Sequence, residues 1–75
     1  MSKLRLLKMY LKIKEAREYR HYTVSDLAKL AHISERSINY YETGQKIPKI
    51  NNVEKIAKAL NVDPAWLVGL RNESN

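Results

Sequence analysis

Residues 23–44 read TVSDLAKLAHISERSINYYETG, a stretch that carries the punctuation of two short helices. Thr23 is a good N-cap, and Asp26 three residues later completes a capping box with aspartate in the place of the usual glutamate. Leu27, Ala28 and Ala31 then fall on one side of the helix that follows. Ser34 is the next N-cap and opens a helix that runs through Glu42, with Ile38 and Tyr41 facing inward. Gly44 stops that helix, because glycine alone enters the left-handed region at no steric cost. Only the few residues from Ala31 to Ser34 separate the two helices.

Outward from this pair, the same helical periodicity continues in both directions. Residues 3–20 gather Leu6, Met9, Tyr10, Ile13, Ala16 and Arg17 on one broad face, while Leu4, Leu7 and Leu11 form a second stripe. On the C-terminal side, Thr43–Lys49 holds Gly44 and Pro48 and reads as a loop. Ile50, Val53, Ile56, Ala57 and Leu60 repeat at helical spacing. Asp63 before Pro64 is an N-cap with proline at the first helical position, opening a short helix with Trp66, Leu67 and Leu70. The expected fold is all-α: a compact five-helix bundle. It forms one domain over residues 1–70 with an extended first helix, followed by a frayed tail at 71–75.

Composition narrows the chemistry. The chain has 75 residues and no cysteine, so neither disulfides nor thiolate metal sites are expected, and His21 and His32 are too few for a zinc site. No metal or cofactor is expected. Nor is an enzyme, since there is no phosphate loop and no nucleophile beside a base. Lysines interrupt both apolar faces of the first helix, which argues against a membrane-surface helix, and no apolar run is long enough to span a bilayer. A reducing, cytoplasmic setting of bacterial type fits these features. The net charge of +6 favours an anionic partner. Most of it sits at the N-terminus, where Lys3, Arg5, Lys8, Lys12, Lys14, Arg17 and Arg20 face only Glu15 and Glu18.

Two helices joined by so short a turn describe a helix-turn-helix, in which one helix braces a DNA duplex and the next enters the major groove. Residues 23–44 closely resemble the Cro and phage-repressor (XRE) family of such motifs. Ile13, Ala16 and Arg17 look like the end of that family's first helix. Ile56-Ala57-Lys58-Ala59-Leu60-Asn61-Val62 is similar to its fourth helix and following turn, and Asp63–Leu67 to the start of its fifth. The resemblance covers about residues 12–70 and implies a repressor-like fold and a dimeric transcriptional repressor on a palindromic operator. Two departures stand out. His21 and His32 occupy turns where the family usually has glycine, and histidine tolerates a left-handed backbone better than most residues. Val24 replaces a glutamine that touches phosphate in many relatives, which leaves the backbone N–H groups of that helix start for the task.

With Ser34 as cap and Ile38 and Tyr41 inward, helix geometry turns Glu35, Arg36, Asn39 and Tyr40 toward the groove. Arginine suits guanine O6 and N7, asparagine suits adenine, glutamate accepts from cytosine N4, and a tyrosine ring can meet a thymine methyl. A plain solvated helix face would also be polar here. Phosphate contacts are expected from the flanks: Thr23, Ser25, Thr43, Lys46 and Lys49. By resemblance, Arg17 and Glu42 match an ion pair between the first helix and the end of the recognition helix. The dimer contact is placed, also by resemblance, at Ile50, Trp66, Leu67 and Leu70. The Leu4, Leu7, Leu11 stripe leaves two readings open. It packs within the chain against Trp66 and Leu70, or it binds a protein partner, making the chain an interaction module such as an antitoxin or an anti-repressor target.

Overall fold

Three of the described helices begin where a side-chain acceptor meets the first unpaired backbone N–H groups, and the first four end where the chain turns left-handed. The computed structural model describes residues 12–69. Helix α1 is described over residues 12–19, followed by α2 (Val24–Ala31), α3 (Glu35–Thr43), α4 (Ile50–Leu60) and α5 (Pro64–Leu67), with no strand among the described residues. The expectations placed on Leu4, Leu6, Leu7, Met9, Tyr10, Leu11, Leu70 and the tail lie outside these residues.

The starts follow the side chains read from the sequence. Thr23 Oγ1 accepts from the Asp26 N–H at 3.0 Å, and Asp26 returns a bond from the Thr23 N–H at 2.9 Å, which completes the capping box. Ser34 Oγ accepts from the Ser37 N–H at 3.1 Å, and Asp63 caps α5 through the Ala65 N–H at 2.8 Å. Helix α4 differs and starts without such a bond, at Lys49.

The stops share one device. His21, His32, Gly44 and Asn61, at the ends of α1 to α4, all have positive φ, at 60°, 58°, 79° and 58°. The next residue in each case sends its N–H back to the carbonyl five positions earlier: Tyr22 to Arg17 at 3.1 Å, Ile33 to Ala28 at 3.0 Å, Gln45 to Tyr40 at 2.9 Å and Val62 to Ala57 at 2.9 Å. This is the Schellman closure, and it satisfies carbonyls that a helix end would otherwise leave bare. Tyr22, Ile33 and Val62, delivered just past the turn, pack against the core.

That core is built from Ile13, Leu27, Ile38, Ile56, Leu60 and Leu67, each no more than 1% exposed, with Ala16, Ala28, Ala31, Tyr41 and Ala57 between them. Helix α2 packs on both α3 and α4, and α4 carries α5. One expectation does not fit the burial. Leu67 is not an interface residue as the resemblance implies: it is buried in the core and presents no side chain to a partner. Ile50, which shares the helical spacing of Val53 and Ile56 and is also placed at the dimer contact by resemblance, is 65% exposed at the start of α4.

An ion pair joins α1 to the end of α3. Arg17 on α1 reaches the last turn of α3, with Nε donating to Glu42 Oε2 at 2.7 Å and Nη2 to Oε1 at 3.0 Å. Nη1 donates to the Tyr22 carbonyl at 2.8 Å. The two side chains are 12% and 8% exposed, so the bidentate pair is largely out of water. The bond to Glu42 raises the Arg17 pKa above its ordinary value against the opposing effect of burial. The geometry thus joins the two residues that the resemblance pairs.

Two stability outcomes are expected. Arg17→Ala and Glu42→Ala should each cost about 3 kcal/mol, the low end for stranding one charge of a buried pair, because water still reaches the edge. At this size that lowers the Tm by more than about 10 °C in thermal melts, and a loss under about 1 kcal/mol in both variants contradicts the assignment. His32→Gly should move the other way. A left-handed non-glycine residue costs about 1–2 kcal/mol, while glycine gives back about 0.5–1 kcal/mol in chain entropy, so the Tm should rise by a few degrees. A lower Tm would mean that the imidazole contributes contacts worth more than the turn.

Candidate nucleic-acid interface

The helix α3 has a clear division of labour along its length. Ile38 is fully buried and Tyr41 nearly so, which fixes the opposite side outward. Glu35, Arg36 and Asn39 are placed on that side, and Tyr40 is half-buried at the edge of the same face. Tyr41 is further anchored by its hydroxyl, which accepts from Asn52 Nδ2 of α4 at 2.9 Å.

Arg36, Tyr40 and Lys46 form a cluster. Arg36 Nε donates to the Tyr40 hydroxyl at 3.1 Å, Arg36 Cζ lies 5.8 Å from the ring centroid, and Lys46 Nζ lies 4.8 Å from it. Lys46 is brought there by the end of α3, where the Tyr40 carbonyl accepts the Gln45 N–H at 2.9 Å and the Lys46 N–H at 3.3 Å. Thr43 Oγ1 donates to the Asn39 carbonyl at 2.8 Å and accepts from Gln45 Nε2 at 3.1 Å, so its hydroxyl is bound within its own helix end. Glu35 and the Asn39 side chain lie outside this cluster.

The start of α2 offers donors. Thr23 Oγ1 accepts from the Asp26 N–H in the capping box and its side chain also bonds the Asp26 carboxylate, while Ser25 is half-buried beside it. Asp26 sits exposed at the same helix start, its pKa held below the ordinary carboxyl value first by the Thr23 N–H and then by the Thr23 side chain. Because the folded value is depressed, the support from this carboxylate is complete above the ordinary carboxyl value. It is lost as the pH falls through the lowered one. Lys49 is exposed at the start of α4.

Of the residues expected at an interface with a second chain, Ile50 is exposed, Trp66 half-buried, and Leu67 buried as described. Sequence reasoning missed two features here. Ile47 is 54% exposed in the loop before Ile50, an apolar residue with no helical period to flag it. Lys12 Nζ lies 5.1 Å over the Trp66 ring and donates to the Trp66 carbonyl at 2.9 Å, a contact between residues 54 positions apart that no local pattern encodes. No group of histidine, aspartate or glutamate among the described residues can hold a metal ion, and no helix there is long and apolar enough to cross a membrane.

Comparison with known proteins agrees with this geometry. The Helix-turn-helix family model matches residues 13–67, from Ile13 in α1 to the end of α5. No curated protein matches by sequence. Among solved structures, the restriction-modification controller protein C.AhdI from Aeromonas hydrophila is similar with a TM-score of 0.79 at 27% identity, over 83% of this chain and 94% of that one. The N-terminal DNA-binding domain of SinR from Bacillus subtilis is similar with a TM-score of 0.81 at 25% identity, over 89% of this chain and 99% of that one. With the motif, the capped helix pair and the family match in agreement, the chain belongs to the Cro and phage-repressor (XRE) type of helix-turn-helix proteins.

Proposed function

We propose that this protein is a sequence-specific transcription regulator that binds double-stranded DNA, and that it represses from a palindromic operator as a homodimer. DNA-binding regulation follows from the family and from the two similar structures; the repressor role, the dimer and the individual contacts are our reading. The observation that carries it is the outward face of α3. Glu35, Arg36 and Asn39 stand on a helix whose other side is locked into the core. A helix fixed in this way can present base-reading groups to the major groove without rearranging.

In this arrangement Arg36 reads guanine, Asn39 suits adenine and Glu35 accepts from cytosine, with Tyr40 at their edge. Thr23, Ser25, Thr43, Lys46 and Lys49 bind phosphates on either side and fix the register. Helix α2 contributes its backbone N–H groups, since Val24 has no polar side chain to offer. The exposure of Ile50 and Ile47 supports the dimer contact, and Trp66 lies half-covered by Lys12. A symmetric dimer of this kind spaces its recognition helices by about 34 Å, one turn of DNA.

Selection of bound sites from random duplex DNA tests the reading in one step and should return an inverted repeat. Recovery of no preferred sequence would sink it. Against the best site, Arg36→Ala should cost about 1–3 kcal/mol and relax preference at one base pair per half-site. A uniform loss over all sequences would make Arg36 a phosphate contact instead. Lys46→Ala and Lys49→Ala should weaken all sequences alike and each lower the logarithmic salt slope by about one unit. A changed base preference in either lysine variant would show that the lysine meets a base.

A further inference from the structure

Tyr40 makes more contacts than a base-reading side chain needs. Its hydroxyl accepts from Arg36 Nε, and its ring carries Arg36 and Lys46 at 5.8 Å and 4.8 Å. Arg36 and Tyr40 are four residues apart on α3 and therefore neighbours on its surface. Lys46 comes from the loop, folded back because the Tyr40 carbonyl accepts the N–H groups of Gln45 and Lys46. Two cations thus share one phenol, drawn to the negative face of the ring and held there despite their mutual repulsion.

We propose that Tyr40 is a positioning residue that acts on the DNA through Arg36, fixing how the guanidinium meets a guanine. The inference rests on the DNA-reading role given to α3 above. A guanidinium can present two parallel donors either along its Nε edge or from its two terminal Nη atoms. With Nε bound to the Tyr40 hydroxyl, the Nε edge is occupied and the end-on pair of Nη atoms is what remains for a base. Guanine O6 and N7 are the one pair of adjacent acceptors that a major-groove base edge offers to such a fork. The half-site therefore carries a guanine opposite Arg36, read through both atoms at once.

The same ring sets the distance between two kinds of contact. Lys46 is the proposed phosphate contact and Arg36 the proposed base contact, and both rest on Tyr40. A side chain already held in its bound orientation loses less rotamer freedom on binding. Tyr40 thus links the base contact to the backbone contact that fixes the register.

The test uses the full chain and the duplex recovered by selection, with wild type, Arg36→Ala, Tyr40→Phe and the double variant. Tyr40→Phe keeps the ring and loses only the hydroxyl, and its melting curve should match wild type. It should reduce the preference for guanine at the Arg36 position by about tenfold while leaving the salt slope unchanged. The double variant should be no worse than Arg36→Ala alone, since the hydroxyl acts through the arginine. Replacing that guanine by 7-deazaguanine, which removes N7, should weaken wild type about tenfold and Tyr40→Phe far less. Additive losses in the double variant overturn the proposal and make Tyr40 an independent DNA contact. An unchanged guanine preference in Tyr40→Phe, with Arg36→Ala relaxed, overturns it and leaves the base-reading role of Arg36 standing. If Arg36→Ala itself leaves base preference untouched, both fail together.

Discussion

The guanidinium of Arg17 holds three separate stretches of the chain together: its own helix α1, the carbonyl of Tyr22 just before α2, and the carboxylate of Glu42 at the last turn of α3. Helix α3 is nine residues long and buries only Ile38 and Tyr41, so its grip on the core is narrow. Two inward side chains one turn apart fix which face of a helix points out, but they hold its far end weakly. The Glu42 contact ties that end to α1, beside the bond that ties Tyr41 to Asn52 of α4. Taking two charges out of water is costly, and the geometry offsets this with a bidentate fork and a third bond to a carbonyl. Lysine in place of Arg17 has the charge but not the fork, so the same three acceptors would not be met in one plane.

Around this pair the chain reverses direction four times with the same closure and four residues of three types: two histidines, one glycine and one asparagine. Glycine removes the steric penalty of the turn but also leaves the unfolded chain freer. Histidine and asparagine accept some strain in exchange for a stiffer chain. The closure does more than stop a helix. It delivers Tyr22, Ile33 and Val62 to the core immediately after α1, α2 and α4. After α3 the corresponding residue is Gln45, which is exposed, and the chain runs out into the loop that carries Lys46, Ile47 and Lys49. The one reversal of the four without an apolar residue behind it is the one that feeds the candidate interface.

Local chemistry was legible in the sequence, and contacts between distant segments mostly were not. Thr23 with Asp26, Ser34, and Asp63 with Pro64 declare helix starts because a cap is a bond between near neighbours. His21 and His32 could be read as left-handed turns only because resemblance placed them where glycine is usual. Asn61 carries the same signal by residue type, hidden inside a matching motif. The Arg17–Glu42 pair likewise came through resemblance, since nothing in the spacing of two residues 25 apart shows that they meet. Resemblance places Leu67 at the dimer contact, and a four-residue helix has too few positions for periodicity to show that it belongs to the core. The Lys12–Trp66 contact and the stacking of Arg36 and Lys46 on Tyr40 depend on how the finished surfaces meet, which no window of sequence contains.

The division within α3 has a consequence for how such a protein can vary. Its inward residues answer to the core, where a missing methylene is felt at once. Glu35, Arg36 and Asn39 lie outside that core, so the fold places little constraint on which side chains stand there. Similar structures at 25–27% identity fit the same backbone, as expected if a limited set of caps, turns and core positions fixes it. Tyr40 lies between the two regimes. It is half-buried, its carbonyl closes α3, and its ring and hydroxyl hold two cations of the candidate interface. On the proposed reading, a change there redirects Arg36 without touching the core, and the other groups on the outward face of α3 stay the same. If α3 reads DNA as proposed, specificity is set by two layers: side chains that meet the base edges, and the Tyr40 ring that decides how Arg36 approaches them.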